Sequence, residues 1–194
     1  MAFLKYSFTL ALLSGLALSF IIEPNCTELT KPLELGSNHS SIMGKWILAV
    51  GAYQGVMEMI GQMMDAYWME LSPPTNDDTF LLRHAYRIGN ECTFESRGYS
   101  FRNNPSHQPN NSGNIESYPL SSCSNCLTDY ISVQHEEEPS RALFLLSRER
   151  NVSTSAVDLF KKQAKCLGFP EPFIFYSAAA DYGEVDTCCW SISG

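Results

Sequence analysis

Between Thr79 and Ile88 the side chains change character at every step. Phe80, Leu82, His84, Tyr86 and Ile88 share one parity; Leu81, Arg83, Ala85 and Arg87 share the other. A period of two describes an extended strand with one buried face. A slip of one residue would exchange the two faces, so this stretch fixes its own register. The inner face is apolar, with one imidazole and one phenol set into it. A histidine in that setting is more often a satisfied structural group than a ligand contact. His84 is therefore structural by default, and with Tyr86 it is the polar candidate for orienting a bound molecule.

A second apolar run of strand length, Ile42 to Gly51, is opened by Gly44-Lys45-Trp46. The glycine lets the backbone turn tightly where the chain joins a sheet. The tryptophan brings the largest apolar side chain and an N–H that requires a partner. Further extended segments are expected at 66–71, 92–101, 126–133 and 142–147. They are divided by the turn cluster from Ser72 to Asp78, by Gly89-Asn90 and by the acidic run from Gln134 to Pro139. Asn103 to Asn114, rich in Asn, Pro and Ser, reads as a long exposed loop. From Ser155 the period changes: Val157, Phe160, Ala164 and Leu167 recur at helical spacing, Ser155 and Asp158 suit a capping box, and Gly168 with Pro170 stops the helix. Phe173 to Tyr176 suits a last short strand. The pattern predicts an all-β chain with one late helix.

The first residues carry Lys5, an apolar run from Phe8 to Phe20, and small residues Ala17 and Ser19. This is the form of a secretory signal cleaved after Ser19, leaving 20–194 as one domain. Its rival is an uncleaved anchor, but the run falls short of the roughly 20 residues that a spanning helix needs. The chain is expected to be secreted and extracellular, with no stable membrane insertion after cleavage. A formal net charge of −8 argues against nucleic acid and anionic membranes as partners. Four Asn-x-Ser/Thr tripeptides, at Asn25, Asn38, Asn110 and Asn151, mark glycosylation sites in such a compartment. The same compartment makes the seven cysteines disulfide partners rather than metal ligands. Cys123-Ser124-Asn125-Cys126 lacks the βαβ setting of a redox motif and the second C-x-x-C of a zinc site. No metal site and no cofactor are expected.

In order along the chain, Gly44-Lys45-Trp46, then Asp78-Thr79-Phe80-Leu81-Leu82-Arg83, Cys92, Cys166-Leu167-Gly168-Phe169-Pro170 and Cys188 resemble the alpha-1-acid glycoprotein branch of the lipocalins. Ser122-Cys123-Ser124-Asn125-Cys126-Leu127 adds a likeness to the fish members of that branch, the tributyltin-binding proteins and the saxitoxin- and tetrodotoxin-binding proteins of pufferfish. Apolipoprotein M is a more distant match. The resemblance implies an eight-stranded up-and-down antiparallel barrel with one C-terminal helix packed outside, closed near Trp46 and open at its other end to a cavity. It also implies disulfides Cys26–Cys166 and Cys92–Cys188, and leaves Cys123, Cys126 and Cys189 unassigned.

On that fold the ligand-binding wall is expected to hold Trp46, Met57, Tyr67, Met69, Leu71, Phe80, Leu82, His84, Tyr86, Phe144 and Leu146. The span from Tyr53 to Met64 reads equally as a short amphipathic turn whose methionines fill the core and as a flexible apolar lid; on this fold it would form the rim, with Met57, Met59, Met63 and Met64 as a soft apolar surface. The charges there, Glu58 and Asp65, favour a neutral or cationic ligand. The expected function is carriage of a small hydrophobic molecule by a monomer without enzymatic activity or catalytic residues. Two alternatives stand beside it. One is a lipocalin-type isomerase, which needs Cys123 or Cys126 free and inward; the other is an acute-phase or immune-modulating plasma glycoprotein.

Overall fold

A computed structural model describes residues 25–35, 39–73, 80–99, 106–110, 113–134 and 139–175. The expected leader, Asn38, Tyr176, Cys188 and Cys189 lie outside these residues. A short helix α1 (Cys26–Leu29) and a 3-10 turn (Ser40–Ile42) lead into the sheet. There follow β1 (Gly44–Gln54), α2 (Val56–Met63), β2 (Met64–Ser72), β3 (Phe80–Ile88), β4 (Glu91–Tyr99), β5 (Ser106–Asn110), β6 (Gly113–Leu120), β7 (Cys126–Gln134), β8 (Ser140–Ser147), α3 (Thr154–Cys166) and β9 (Phe173–Ile174).

The strands form one curled antiparallel sheet in the order β4-β3-β2-β1-β8-β7-β6-β5, with β9 added beside β1. Strands β1 to β4 and β5 to β8 each neighbour the next in sequence, β8 returns to β1, and β4 and β5 stand at the two ends of the order, which is how an up-and-down sheet curls toward a barrel. Alternation decides the faces. Phe80, Leu82, Met69, Leu71, Phe144 and Leu146 are buried in one inner cluster, with Tyr67 and Tyr86 packed against it. Arg83, on the opposite parity of β3, is exposed.

On β1 the alternation is re-phased. Leu48 pairs with Leu146 and Val50 with Leu145, so the strand carries a bulge between Leu48 and Val50.

 Ala49 is the unpaired residue of that bulge, and it turns outward with Val50. Beyond it Gly51 opposes Phe144 and Tyr53 opposes Ala142, so Tyr53 points inward again.

The outer face of β1 and β8 is covered by α3. Phe160 and Ala164 bury themselves against Val50, Leu143, Leu145 and Leu120 in a second core. The helix begins two residues earlier than the Ser155 capping box would place it. Ser153 is the cap, its Oγ accepting the Ala156 N–H at 3.3 Å, because the extended backbone of Ser153 brings the hydroxyl over the first free amides. Gly168, at φ +75°, ends the helix in the left-handed region that glycine tolerates.

The Asn-rich stretch also differs from expectation. Part of Asn103 to Asn114 is strand: β5 pairs with β6 from Ser106↔Ser117 to Asn110↔Gly113. Composition favours a loop there, but cross-strand backbone hydrogen bonds are indifferent to side-chain type, so pairing overrides local preference.

Cys26 and Cys166 are joined, 140 residues apart in sequence, which ties α1 to the end of α3. Gln163, fully buried, reinforces this join by donating to the Leu29 carbonyl at 3.0 Å and the Ser121 carbonyl at 2.8 Å. Cys92 is disulfide-bonded as well, and its expected partner, Cys188, is outside the described residues. Replacing Cys26 and Cys166 together by serine should lower unfolding free energy by roughly 4–5 kcal/mol, the chain-entropy value for so long a loop. Urea denaturation of the double variant beside the unaltered protein measures it.

Candidate functional site: an apolar cavity with one carboxyl

One end of the sheet is sealed around Trp46. Gly44 takes φ +88° to bring the chain into β1, and Trp46 is 2% exposed. Its Nε1–H donates to the Ile42 carbonyl at 2.8 Å, the partner that a buried indole requires. Arg148, which follows β8, stacks its guanidinium 3.9 Å from the indole centroid and donates to the Met43 carbonyl at 2.6 Å. Arg148 was not among the candidate residues legible in the sequence. Its role depends on β8 lying beside β1, a pairing between residues about a hundred positions apart, and no local pattern signals it.

Beside this seal lies a small, partly open cavity of about 40 Å³. Its walls are Ile42, Met69, Leu71, Leu82, Ser117, Pro119, Leu127 and Asp129. Met69, Leu71 and Leu82 were expected in the wall. Trp46, Tyr67, Phe80, Phe144, Leu146, Met57, Tyr86 and His84 are interior-facing but are not among the residues lining this space. Ile42, Ser117, Pro119, Leu127 and Asp129 were not anticipated. The alternation of Leu127, Asp129 and Ile131 on β7 carries the signal, weakened because a carboxylate at an inward position breaks the apolar parity.

The interior beyond the cavity is filled by rings. Tyr53 lies 5.7 Å from Phe144, Phe144 lies 5.5 Å from Tyr67, and Tyr67 lies 5.9 Å from His84, centroid to centroid. The cavity described here lies on the Trp46 side, and these aromatic side chains pack toward Tyr53. Tyr53 fits only because two glycines face it: a Cβ on Gly51 or Gly61 would come within 2.6 Å or 2.4 Å of its side chain. Burial holds the Tyr53 phenol well above its ordinary ionisation range.

His84 is 8% exposed and its Nε2 is 3.0 Å from Glu95 Oε2 on the facing position of β4. Its pKa is lowered, chiefly by burial and secondarily by the nearby Arg97, with Glu95 opposing both. His84 is thus satisfied by a neighbouring strand. The rim segment is helical, so its period is 3.6 rather than 2. Met57 packs inward and Met64 is buried, whereas Val56, Met59, Ile60 and Met63 face solvent. Met59 and Met63 therefore do not line the cavity.

Among the described residues of the cavity wall, Asp129 is the one ionisable group. Ser117 Oγ donates to its Oδ1 at 3.0 Å. Burial pushes its pKa up to about 7, against the pull of the Ser117 hydrogen bond in the other direction. Cys123 and Cys126 are joined to each other, and Cys126 packs toward the outer core rather than the cavity. Among the described residues no group of His, Cys, Asp and Glu is arranged to hold a metal ion, and no helix is long and apolar enough to cross a membrane. Asn25 and Asn151 are exposed; Asn110 lies on β5.

An antiparallel sheet curled around an interior cavity, with a helix against its outer face, defines a class of small-molecule-enclosing barrel. Among solved structures the chain is similar to the siderocalin Ex-FABP, at 16% identity over 73% of this chain and 97% of that one, with a TM-score of 0.60. It is similar to a dog lipocalin allergen at 16% identity, covering 77% and 98% of the two chains, TM-score 0.60. An odorant-binding protein matches at 10% identity over 82% and 99%, TM-score 0.60. No protein-family model matches the sequence, and no curated protein matches it by sequence. The likeness is one of architecture: this chain has the lipocalin fold.

The half-buried carboxyl of Asp129 makes a pH-dependent contribution to stability. Its folded pKa, about 7, lies above the ordinary value of 3.8. Between those values the native state holds a proton that the unfolded chain releases, so this contribution falls as pH rises and levels off above the folded pKa. Asp129→Asn removes the penalty and should be more stable than the unaltered protein at pH 8 by roughly 2–4 kcal/mol, with the difference shrinking toward pH 4. Denaturation midpoints of both proteins across that range check the slope.

Proposed function

We propose that this protein is a secreted, glycosylated lipocalin that binds and carries a small hydrophobic ligand, neutral or cationic, in its interior cavity. The observation that carries this reading is the composition of the wall: Ile42, Met69, Leu71, Leu82, Pro119 and Leu127 around a single polar pair, Ser117 and Asp129. Apolar surface removed from water supplies affinity at about 25 cal/mol per Å², and a few polar groups fix orientation. A signal at 1–19, one domain over 20–194, the four glycosylation sites, the Cys92–Cys188 link and a monomeric state belong to the same proposal. So does membership of the alpha-1-acid glycoprotein branch, on the motifs that suggested it. The remaining interior-facing residues, among them Tyr67, Phe144 and Tyr86, would meet a ligand larger than the present space. The isomerase alternative loses its nucleophile in the Cys123–Cys126 link.

Trp46 donates to the backbone of Ile42, itself a wall residue, so its fluorescence reports on occupancy. Titration with a neutral lipophile such as octan-1-ol should change that emission saturably. Met69→Ala should weaken the binding by roughly 1–2 kcal/mol, the scale of losing part of a buried side-chain contact. Absence of saturable binding by any lipophile overturns the carrier reading. Native mass spectrometry of protein from its own source would identify the molecule carried.

A further inference from the structure

Helix α2 joins the end of β1 to the start of β2, and only Glu58 and Gln62 among its eight residues carry polar side chains. At 3.6 residues per turn those eight fall into three strips. Met57 and Gly61 face the interior: Met57 packs against the inner cluster, and a Cβ on Gly61 would come within 2.4 Å of the Tyr53 ring. Glu58 and Gln62 form a polar strip and bond to each other, Gln62 Nε2–H donating to Glu58 Oε1 at 3.4 Å. Val56, Met59, Ile60 and Met63, spaced i, i+3, i+4 and i+7, form the third strip and are 59%, 59%, 42% and 47% exposed.

This exposure follows from the way the helix is held. Gly55 takes φ +72° at its start, and the Val56 N–H donates to Ser140 Oγ of β8 at 3.1 Å. Rolling the helix to bury the third strip would drive a side chain into Tyr53 at the place where Gly61 leaves room. Among the described residues seven large apolar side chains are exposed. Four stand on this strip, and the other three, Leu33, Phe94 and Ile174, stand elsewhere in the chain. A contiguous apolar strip of this kind marks a contact surface.

Charge and size narrow the occupant. A stable protein interface uses about 20–30 residues on each side, so four side chains on one short helix fall far short of what a second copy needs. Residues 176–194 carry Asp181, Glu184 and Asp186 and no basic residue, so Glu58 beside the strip would repel them. An anionic surface is disfavoured too, because α2 has no Lys or Arg and the chain carries a net charge of −8. A zwitterionic phospholipid surface meets all these conditions. It needs no matching shape, carries no net charge, and presents its outermost cationic groups to Glu58. Methionine side chains adapt to irregular surroundings, which suits a fluid acyl boundary.

We propose that the strip of Val56, Met59, Ile60 and Met63 is a reversible docking surface for zwitterionic phospholipid membranes. Helix α2 lies in the plane of the interface, with the strip in the acyl boundary and Glu58 and Gln62 at head-group level. The proposal goes beyond ligand carriage and does not rest on it.

Flotation of the full chain with phosphatidylcholine vesicles tests this. The protein should rise with the vesicles. Met59→Ser with Met63→Ser should lower its partition coefficient at least tenfold and leave the far-ultraviolet circular dichroism unchanged, since both side chains already face water. Met59→Leu with Met63→Leu should keep the binding. Replacing about a third of the lipid by phosphatidylserine should weaken binding at low salt, and high salt should restore it. In Met59→Trp, brominated phosphatidylcholine should quench the added emission. Absence of flotation, flotation unchanged by the serine pair, or tighter binding to the phosphatidylserine vesicles at low salt overturns the proposal. A dimer in sedimentation velocity that the serine pair abolishes, without flotation, also overturns it and assigns the strip to a second copy. The octan-1-ol titration is read separately, so failure here leaves the carrier reading standing.

Discussion

The interior of this molecule depends on β1. It pairs with β2 along its first residues, with β8 along most of its length, and with β9 at Val50 and Gly51. One strand thereby joins the two halves of the curled sheet. The two sides of the strand have different tasks: Trp46, Leu48 and Tyr53 fill the interior, while Ala49, Val50 and Ala52 form the seat for α3. A strict period of two cannot meet both demands across a strand that bends between partners. The bulge between Leu48 and Val50 adds the residue that restores phase. Small side chains at 49, 51 and 52 let neighbouring elements approach closely.

The contents of the interior follow from what each wall contributes. Toward Tyr53 the side chains are aromatic and pack ring against ring. Toward Trp46 they are aliphatic, and a space remains among Ile42, Met69, Leu71, Leu82 and Leu127. Aromatic rings interlock at preferred edge and tilted geometries and leave little room, whereas aliphatic chains from facing walls here do not span the width. Asp129 stands half-buried in that space with Ser117 as its hydrogen-bond donor. Its raised pKa follows from the part of its surface that the strands cover.

Outside the barrel, two joins hold the terminal elements against the sheet. The Cys26–Cys166 bond fixes α1 to α3, and Gln163 connects α3 to Leu29 and to Ser121, where the chain turns from β6 toward β7. Arg148 performs a similar task at the sealed end, covering the Trp46 indole while bonding to the chain that precedes β1. These polar contacts have partners fixed in place, which is the condition under which buried or half-buried polar groups add to specificity without a large desolvation loss.

Sequence alone determined the strands whose alternation is clean. Phe80, Leu82 and His84 on β3, and Met69 and Leu71 on β2, lie on the face their parity assigns, because an extended backbone fixes direction at every residue. The late helix, the turn clusters and the need of the Trp46 N–H for a partner were legible for the same local reasons. The helical period of α2 was obscured by methionines at both spacings, and β5 by a composition suited to loops. Only tertiary structure decided which inward residues leave a space between them, since that depends on the volumes of side chains arriving from β2, β3, β6 and β7 together. It also decided that Asp129 belongs to that space. In sequence Asp129 is an ordinary acidic residue between Thr128 and Tyr130; strands from elsewhere in the chain half-bury it, and that partial loss of solvent raises its pKa.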